Sequence, residues 1–435
     1  MKNTRLEKIY AAILLVIFGG IVLHAPLSVG FGVLFPDYSL LIKSWKEILM
    51  ALALVMGVVA VTRRKMWGEL LGDTIIRLIA VYAALHIIVA ALFYQGAAAT
   101  AAGLAIDLRY VLYFALVYVL VRLMPQYRRI LVQIGIIGAF IIVGFATLQF
   151  FLSADILSHI GYGANTIQPY LTVDKNPDFV RVNSTLRGPN PLGAYAGLVL
   201  GLLAAAWLRG KLALRDKKIA IGAGVLALCS LTALWLSYSR SAGGAAIIIV
   251  AIAVLTTVGR KLSRLVWIGG AVVAFALVGG LILARDTPFV SNVLLHENPD
   301  GGSAISSNDA HVSSLEMGIQ RTLSQPLGAG VGSTGSASLH ADSTVIIENH
   351  YLFVAHEVGW TGLALFMWIF ICILQKLWIN RRDWLSLGVF ASGIGFALIG
   401  LLQPVWADDT VSIVWWGLAA IAVAAGEKYD RRTTK

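Results

Sequence analysis

The chain has little charge and little cysteine. Only 13% of its 435 residues are charged, and its two cysteines, Cys229 and Cys372, both lie within apolar segments. We therefore expect neither a disulfide nor a thiolate metal site. The sequence contains no cluster of ligands with metal spacing and no Walker-type or dinucleotide-binding motif. We therefore expect no metal or other cofactor, and ATP is not indicated as a source of energy.

Apolar segments make up most of the chain. Hydrophobic residues account for 58% of the sequence, and the mean hydropathy is +0.80. Runs of about 17–25 apolar residues cross a bilayer as helices, because lipid offers no partner to unpaired backbone groups. The sequence predicts twelve such spans, at 8–24, 39–62, 70–94, 104–122, 130–152, 191–208, 218–236, 242–259, 264–284, 350–377, 384–402 and 409–426. The prediction is an all-α polytopic membrane protein with one membrane domain, residues 1–435.

The positions of lysine and arginine predict the orientation of the spans. Of the 34 basic residues, the twelve-span arrangement places 25 on one side, which leaves 34 − 25 = 9 for the other. Because basic residues are enriched in cytoplasmic loops, both termini are expected in the cytoplasm. The basic N-terminus resembles a signal peptide but lacks a small-residue cleavage site, so an uncleaved first helix is expected. The net charge of +11 reflects this topology and does not indicate a nucleic-acid partner.

Two polar segments, residues 153–189 and 285–349, are predicted to face outward. The second contains a predicted helix at 311–323, with Val312, Leu315, Ile319 and Leu323 on one stripe. Such a stripe suits a helix that lies on the membrane surface or packs over the bundle, either as a simple cover or as a lid over a site. A glycine-rich run at 327–335 follows. Its backbone amides could approach a phosphate, but no helix follows directly, so the signal is weak.

Three polar motifs stand where outer segments enter spans. They are RGPNPLG at 187–193, SYSRS at 237–241 and ENHYL at 348–352. Asn190 before Pro191 predicts a helix N-cap, and the second motif offers a hydroxyl cap. All three spans run from outside to inside, so their partly positive N-termini face outward. Helix N-termini and arginines both favour phosphate groups. If the three starts meet in space, they form an outward-facing site suited to a pyrophosphate.

Each of these residues also has a structural interpretation. Arginines at a membrane boundary often act as interfacial anchors, although Arg240 is the only charge in a very short outer turn. Arg321 suits a solvated helix surface, His340 lies in a Ser/Ala loop, and His350 can serve as a capped structural histidine. His356 and Glu357 lie two turns into their span, where an ionisable pair faces protein or water rather than lipid.

The order of these motifs resembles the Wzy-C superfamily. RGPNPLG, SYSRS, QPLGAGVGS and ENHYLFVAHEVGWTG match it over roughly residues 180–400, and no single motif is highly specific. The superfamily includes O-antigen ligases (WaaL), O-antigen polymerases and bacterial protein O-oligosaccharyltransferases. Twelve spans with a large periplasmic loop before the tenth resemble the ligases.

The resemblance implies a glycosyltransferase of the Gram-negative inner membrane with a periplasmic active site. A ligase transfers O-antigen glycan from undecaprenyl pyrophosphate to a sugar hydroxyl of lipid A–core oligosaccharide, with inversion and without a metal. By motif position Arg187, Arg240 and Asn349 are assigned to pyrophosphate or substrate binding, with Asn190 and Arg321 as further candidates. Many ligases have His-Asn where this chain has Glu348-Asn349-His350. The catalytic base is therefore left among His350, His340 and Glu348, in that order.

Three alternatives to a ligase remain. A polymerase and a protein O-oligosaccharyltransferase would use the same donor and differ only in the acceptor, which the sequence does not identify. A lipid or solute transporter would also have many spans, but transporters carry charged or broken helices near the membrane midplane. Here the charged residues singled out by the motifs lie at one face, which argues against transport.

Overall fold

The described part of the protein is mainly helical. The computed structural model describes residues 4–212, 216–259, 290–295 and 307–433, together with several positions between 263 and 288. Ten helices within this part are long and apolar enough to cross a membrane. An all-α polytopic membrane protein is therefore confirmed. The ninth predicted span, 264–284, lies mostly outside the described residues.

Eleven of the twelve predicted spans overlap a described helix, although some ends differ by several residues and Trp384–Ile399 is shorter than the ten spanning candidates. They are α1 Arg5–Gly20, α2 His24–Leu34, α3 Trp45–Arg63, α4 Thr74–Leu92, α5 Ala97–Leu123, α6 Tyr127–Gln149, α7 Pro189–Leu208, α8 Lys217–Leu236, α9 Arg240–Val258, α10 Ser307–Ser324, α11 His350–Ile379, α12 Trp384–Ile399 and α13 Asp409–Thr433. Short helices occupy Ser39–Lys43 and Trp67–Gly72. The first span is longer than predicted, because α1 continues through a 3-10 turn into α2 and the apolar helix ends only at Leu34.

Short polar side chains begin several of these helices. Asp73, Asp216, Ser239, Asn349 and Asp383 each accept a hydrogen bond from a backbone amide in the first turn of the following helix. The hydroxyl cap predicted for α9 is confirmed, since the Ser239 hydroxyl accepts from the amide of Ala242 at 3.4 Å. Such caps satisfy amides that have no partner within the helix.

The segment before α7 contains a β-hairpin that the sequence did not predict. Strand β1, Tyr170–Val173, pairs antiparallel with β2, Asn176–Val182, and Leu171 stands opposite Arg181. Asp174 and Lys175 form the turn with positive φ angles of 47° and 65°. The hairpin positions Arg181 beside the start of α7.

The helix predicted near 311–323 is present as α10, and its apolar stripe faces away from the bundle. Val312, Leu315, Ile319 and Leu323 are between 41% and 63% exposed. The opposite face of α10 packs on α11: the carbonyl of Thr322 accepts from the Trp360 indole at 2.9 Å. The stripe therefore neither covers the bundle nor closes a site, and membrane-surface contact is the interpretation that remains.

Candidate functional site

The starts of α7 and α9 are held together by Arg181. Its Nε donates to the carbonyl of Ser237 at 2.9 Å, and its Nη2 donates to Oδ1 of Asn190 at 2.5 Å. Burial lowers the pKa of Arg181 to about 10, an effect that Asp174 opposes and that the nearby charge of Arg240 reinforces. Two helix N-termini and two guanidinium groups therefore lie close together.

Asn190 is not the helix cap that the sequence predicted. The helix begins at Pro189, two residues earlier than the predicted span, and Gly188 occupies the N-cap position. Proline suits a first helical position because its missing N–H would have no partner there, and Pro189 provides this before Pro191 does. The Asn190 side chain is thereby left free to accept from Arg181.

The start of α11 joins this group through the turn that follows α12. Asn349 caps α11, accepting from the amides of Tyr351 and Leu352 at 2.9 and 3.0 Å, and its Nδ2 donates to the carbonyl of Leu401 at 2.9 Å. In the same turn, Nε2 of Gln403 donates to the hydroxyl of Ser241 in α9 at 2.7 Å. The N-termini of α7, α9 and α11 thus meet at one end of the bundle, hereafter the polar end. Their partial positive charges favour an anion there.

Arg187 belongs to a buried ionic cluster around Asp409. Its Nη1 lies 3.4 Å from Oδ2 of Asp409 at the start of α13. Oδ1 of the same carboxylate contacts Lys46 at 3.3 Å and Oδ2 contacts His24 at 3.4 Å, and the Arg109 guanidinium binds Oδ1 as well. The Asp409 side chain is 2% exposed, whereas that of Arg187 is 48% exposed. Arg187 therefore connects the cluster to the surface.

The cluster combines three cations with neighbouring carboxyl groups. Lys46, Arg109 and Arg187 face two carboxylates, Asp409 and Glu47, and the Lys46–Glu47 distance is 3.1 Å. Burial, together with the neighbouring Asp409 carboxylate, raises the pKa of Asp408. The half-exposed guanidinium of Arg187 is the group best placed to bind an anion from solvent, since a planar fork matches two phosphate oxygens.

The sequence reasoning missed Arg181, Lys46, Arg109 and Asp409. A signal was present for two of them: Lys46 and Arg109 are charged residues inside apolar spans, where such groups face protein and mark functional regions. That rule was applied only to His356 and Glu357, both of which are 1% exposed. The pairing of Arg109 with Asp409 bridges 300 residues and leaves no sequence signal.

The three candidate bases lie in different environments. His350 is 2% exposed. The centroid of its ring lies 5.2 Å from that of Phe366 and 6.2 Å from that of Phe353. Neither of its ring nitrogens has a hydrogen-bond partner among the described residues. His340 is exposed at the end of a 3-10 helix. Glu348 forms an ion pair with His311 of α10, and this hydrogen bond raises the pKa of His311, whereas Arg240 opposes the effect.

The remaining arginine candidates are separated along the polar end. Nη1 of Arg240 donates to the carbonyl of Leu294 at 3.1 Å. The positive charge of Arg240 acts to lower the pKa of both Arg181 and His311. Arg321 is half-buried on α10 and acts electrostatically on His356. The structure thus groups Arg181, Asn190 and Arg240 together and leaves Arg321 in a separate place.

A second buried polar cluster lies inside the bundle beside α5. His86 and Asp107 approach to 3.8 Å, and Oε1 of Glu357 accepts from the amide of Thr334 at 3.3 Å. Nε2 of His86, Oδ2 of Asp107 and Oε2 of Glu357 have no hydrogen-bond partner within the described ranges. In that part of the chain, no group of three or more His, Cys, Asp or Glu residues could hold a metal ion.

The glycine-rich run does not form the phosphate cradle considered from the sequence. The amides of Ala329 and Gly330 donate to the carbonyls of His356 and Glu357 at 2.6 and 3.1 Å. Those carbonyls lose their helical partners because α11 is kinked at Val358 and Gly359. The run therefore completes the backbone hydrogen bonding of a broken helix, and these two amides are not available to a ligand.

Comparisons with known proteins add no family. A scan against protein-family models finds no match, and a search of curated proteins finds none either. The resemblance to the Wzy-C superfamily rests on the motifs given above and stays a prediction.

Proposed function

We propose that the protein is an O-antigen ligase. It transfers O-antigen glycan from undecaprenyl pyrophosphate to a sugar hydroxyl of lipid A–core oligosaccharide at the periplasmic face of the Gram-negative inner membrane. The observation that carries the proposal is the placement of Arg181 and Arg240 at the N-termini of α7 and α9, with Arg187 directly before the N-cap of α7. Cations and helix N-termini at one place suit a pyrophosphate.

The proposed chemistry needs little besides this charge. As the glycosidic bond to the pyrophosphate breaks, the leaving group gains negative charge, and fixed guanidinium groups stabilise it without titrating. The acceptor hydroxyl loses its proton to a base at the same end of the bundle. We assign this role to Glu348, supported by its partial exposure and its pairing with His311, ahead of the enclosed His350 and the exposed His340.

The activity is tested with the purified full-length protein, lipid A–core and the undecaprenyl-pyrophosphate-linked glycan. We expect lipopolysaccharide to form without a nucleotide, because the donor is already activated. We also expect it to form in the presence of EDTA, because the resemblance implies transfer without a metal. Glu348→Gln should reduce the rate by about 10²–10⁴-fold, and His340→Ala should change it little. Glycan lengthening without lipid A–core would identify a polymerase, and transfer only to an added acceptor protein would identify a protein O-oligosaccharyltransferase.

Arginine geometry provides a sharper test of the donor site. Arg187→Lys and Arg240→Lys keep the charge but lose the planar fork, so each should slow transfer by about tenfold, and the alanine variants by about 10²-fold or more. Arg129→Lys, an exposed arginine at the start of α6, is the matched control and should retain the wild-type rate. Wild-type rates in both Lys variants would mean that Arg187 and Arg240 are interfacial anchors.

The orientation is tested with two neighbouring serines. Ser336 is exposed, whereas Ser338 is fully buried and donates to the carbonyl of Gly335 at 2.8 Å. In a background without Cys229 and Cys372, we expect Ser336→Cys to react with a membrane-impermeant thiol reagent in intact spheroplasts and Ser338→Cys to stay unlabelled. Labelling of Ser336→Cys only after lysis would place the polar end in the cytoplasm and exclude the proposed substrates.

Transport is the second candidate, and one observation favours it. The charged residues do not all lie at one face, as the sequence had suggested: His86, Asp107 and Glu357 are buried within spans α4, α5 and α11. Buried ionisable groups and a kinked helix are features of transporters. If no acceptor yields product in the transfer assay, while donor-independent proton uptake by proteoliposomes is lost in Asp107→Asn, transport replaces transfer as the function.

A further inference from the structure

A long apolar cavity lies near the end of the bundle opposite the polar end. Its volume is about 510 Å³, and α6, α7, α8, α12 and α13 all contribute to its wall. Along α7 its wall runs from Tyr195 to Ala206, about 16 Å at 1.5 Å per residue. A cavity of this volume is in the range of ligand sites, and its length suits one extended hydrocarbon chain.

The exposed side of the cavity, its rim, is formed by residues of α6 and α8. Ile136 of α6 and Ile219 of α8 line its rim and are 46% and 42% exposed, whereas Leu385, Val414 and Leu418 on the inner wall are at most 4% exposed. In a protein embedded in a bilayer, a rim of this kind faces the hydrocarbon region. A lipid chain therefore enters from the membrane without crossing a polar layer.

Basic groups surround the end of the cavity at which α7 ends. Lys211 is part of the cavity wall, and Nη2 of neighbouring Arg209 donates to the carbonyl of Arg381 at 2.8 Å. Partial burial, together with the like charges of Arg381 and Arg382, lowers the pKa of Arg209.

Two acidic groups near this end of the cavity, both among the side chains that the structure describes, are already engaged. Asp383 pairs with Arg128 at 3.2 Å and caps α12, and Asp216 caps α8. Among the described side chains, positive charge is therefore in excess where the apolar cavity meets the aqueous boundary.

We propose that this cavity binds one acyl chain of an anionic phospholipid, with the lipid phosphate beside Lys211. The chain leaves one apolar environment for another, so selectivity comes from the headgroup charge and from the shape of the cavity. Basic pockets between membrane helices on the cytoplasmic side are suited to anionic headgroups. The site is distant from the arginines of the polar end, and the inference stands whether or not the protein transfers glycans.

Trp384 provides a probe of occupancy because it lines the cavity. The full-length protein in detergent is titrated with phosphatidylglycerol or phosphatidylcholine brominated on the acyl chains, since bromine quenches a nearby indole. The Trp384 signal is taken as the difference between wild type and Trp384→Phe. We expect phosphatidylglycerol to quench it at a concentration about fivefold lower than phosphatidylcholine does. Equal concentrations for the two lipids, or no loss of quenching in Trp384→Phe, would overturn the proposal.

Charge and volume are then varied separately. Lys211→Gln should weaken phosphatidylglycerol binding by about fivefold and leave phosphatidylcholine unchanged, whereas Lys8→Gln at the start of α1 should change neither. Gly222 lines the cavity and Gly224 does not, and a Cβ added at either meets nothing within 4 Å. Gly222→Leu should therefore abolish quenching by both lipids while Gly224→Leu retains it. Full quenching in Gly222→Leu, or an unchanged preference in Lys211→Gln, contradicts the assignment.

Discussion

Replacing Asp409 by alanine is expected to destabilise the folded protein by about 3–5 kcal/mol, the usual consequence of removing one partner from a buried ionic group. The Asp409 carboxylate is 2% exposed and contacts Lys46, Arg109 and His24 inside the bundle. Without it, two fixed cations stay buried, and Glu47 is the ion-pair partner left to them among the described residues. The loss is measured as the shift in the unfolding midpoint of the detergent-solubilised protein.

Two further variants test whether the loss of stability in Asp409→Ala comes from the buried ionic cluster or would follow from replacing any aspartate. Asp409→Asn removes the charge but keeps a hydrogen-bond acceptor, so it should fall between wild type and Asp409→Ala. Asp216→Ala removes only the N-cap of α8 and should cost about 0.5–2 kcal/mol. If Asp409→Ala and Asp216→Ala destabilise the protein equally, the ionic cluster contributes no more than a helix cap.

Gly359→Ala is expected to have the second large effect, a destabilisation of about 2–6 kcal/mol. Gly359 has a φ of +72°, which strains any L side chain. Its added Cβ would also lie 2.5 Å from the carbonyl oxygen of Pro326 and 2.6 Å from the carbonyl carbon of Leu327. Because both neighbours are backbone, relief requires the glycine-rich run to move, at a cost similar to overpacking a core. The same unfolding measurement reports the loss.

Gly243→Ala is the matched control for Gly359→Ala. Gly243 lies within α9, and a Cβ added there meets nothing within 4 Å. Alanine at that position should leave stability unchanged or raise it by up to about 1 kcal/mol, because glycine disfavours a helix interior. Equal effects of the two substitutions would show that the kink of α11 and the docked run contribute nothing specific.

Most of the helices were predictable because a helix that crosses the bilayer needs a run of about 17–25 apolar residues. Long apolar runs at 70–94 and 350–377 predicted α4 and α11, and the apolar spacing at 311–323 predicted α10. The predicted start of α7 was two residues late, because both Pro189 and Pro191 suit the first position of a helix. The hairpin before α7 was missed because β1 has only four residues, too few to show a clear alternation.

The candidate site was predictable only in part. Arg187, Arg240 and Asn349 stand out because a polar motif precedes an apolar run, and the structure brings the helices that follow them together at the polar end. The roles of Asn190 and Asn349 are more structural than the sequence suggested: one holds Arg181 and the other caps α11. The sequence predicted His350 as the first candidate for the catalytic base, but its ring packs against the aromatic rings of Phe353 and Phe366.

The sequence by itself determined the class of this protein and the positions of most of its apolar helices. Those properties depend on the local requirement that every backbone group in lipid be hydrogen-bonded within its own helix. Only the tertiary structure decided which distant polar groups meet. Arg109 pairs with Asp409, Arg181 donates to Asn190, and the glycine-rich run binds the kink of α11 through its backbone amides. Each of these contacts joins segments through packing and desolvation, whose energies depend on a shared environment that no local pattern records.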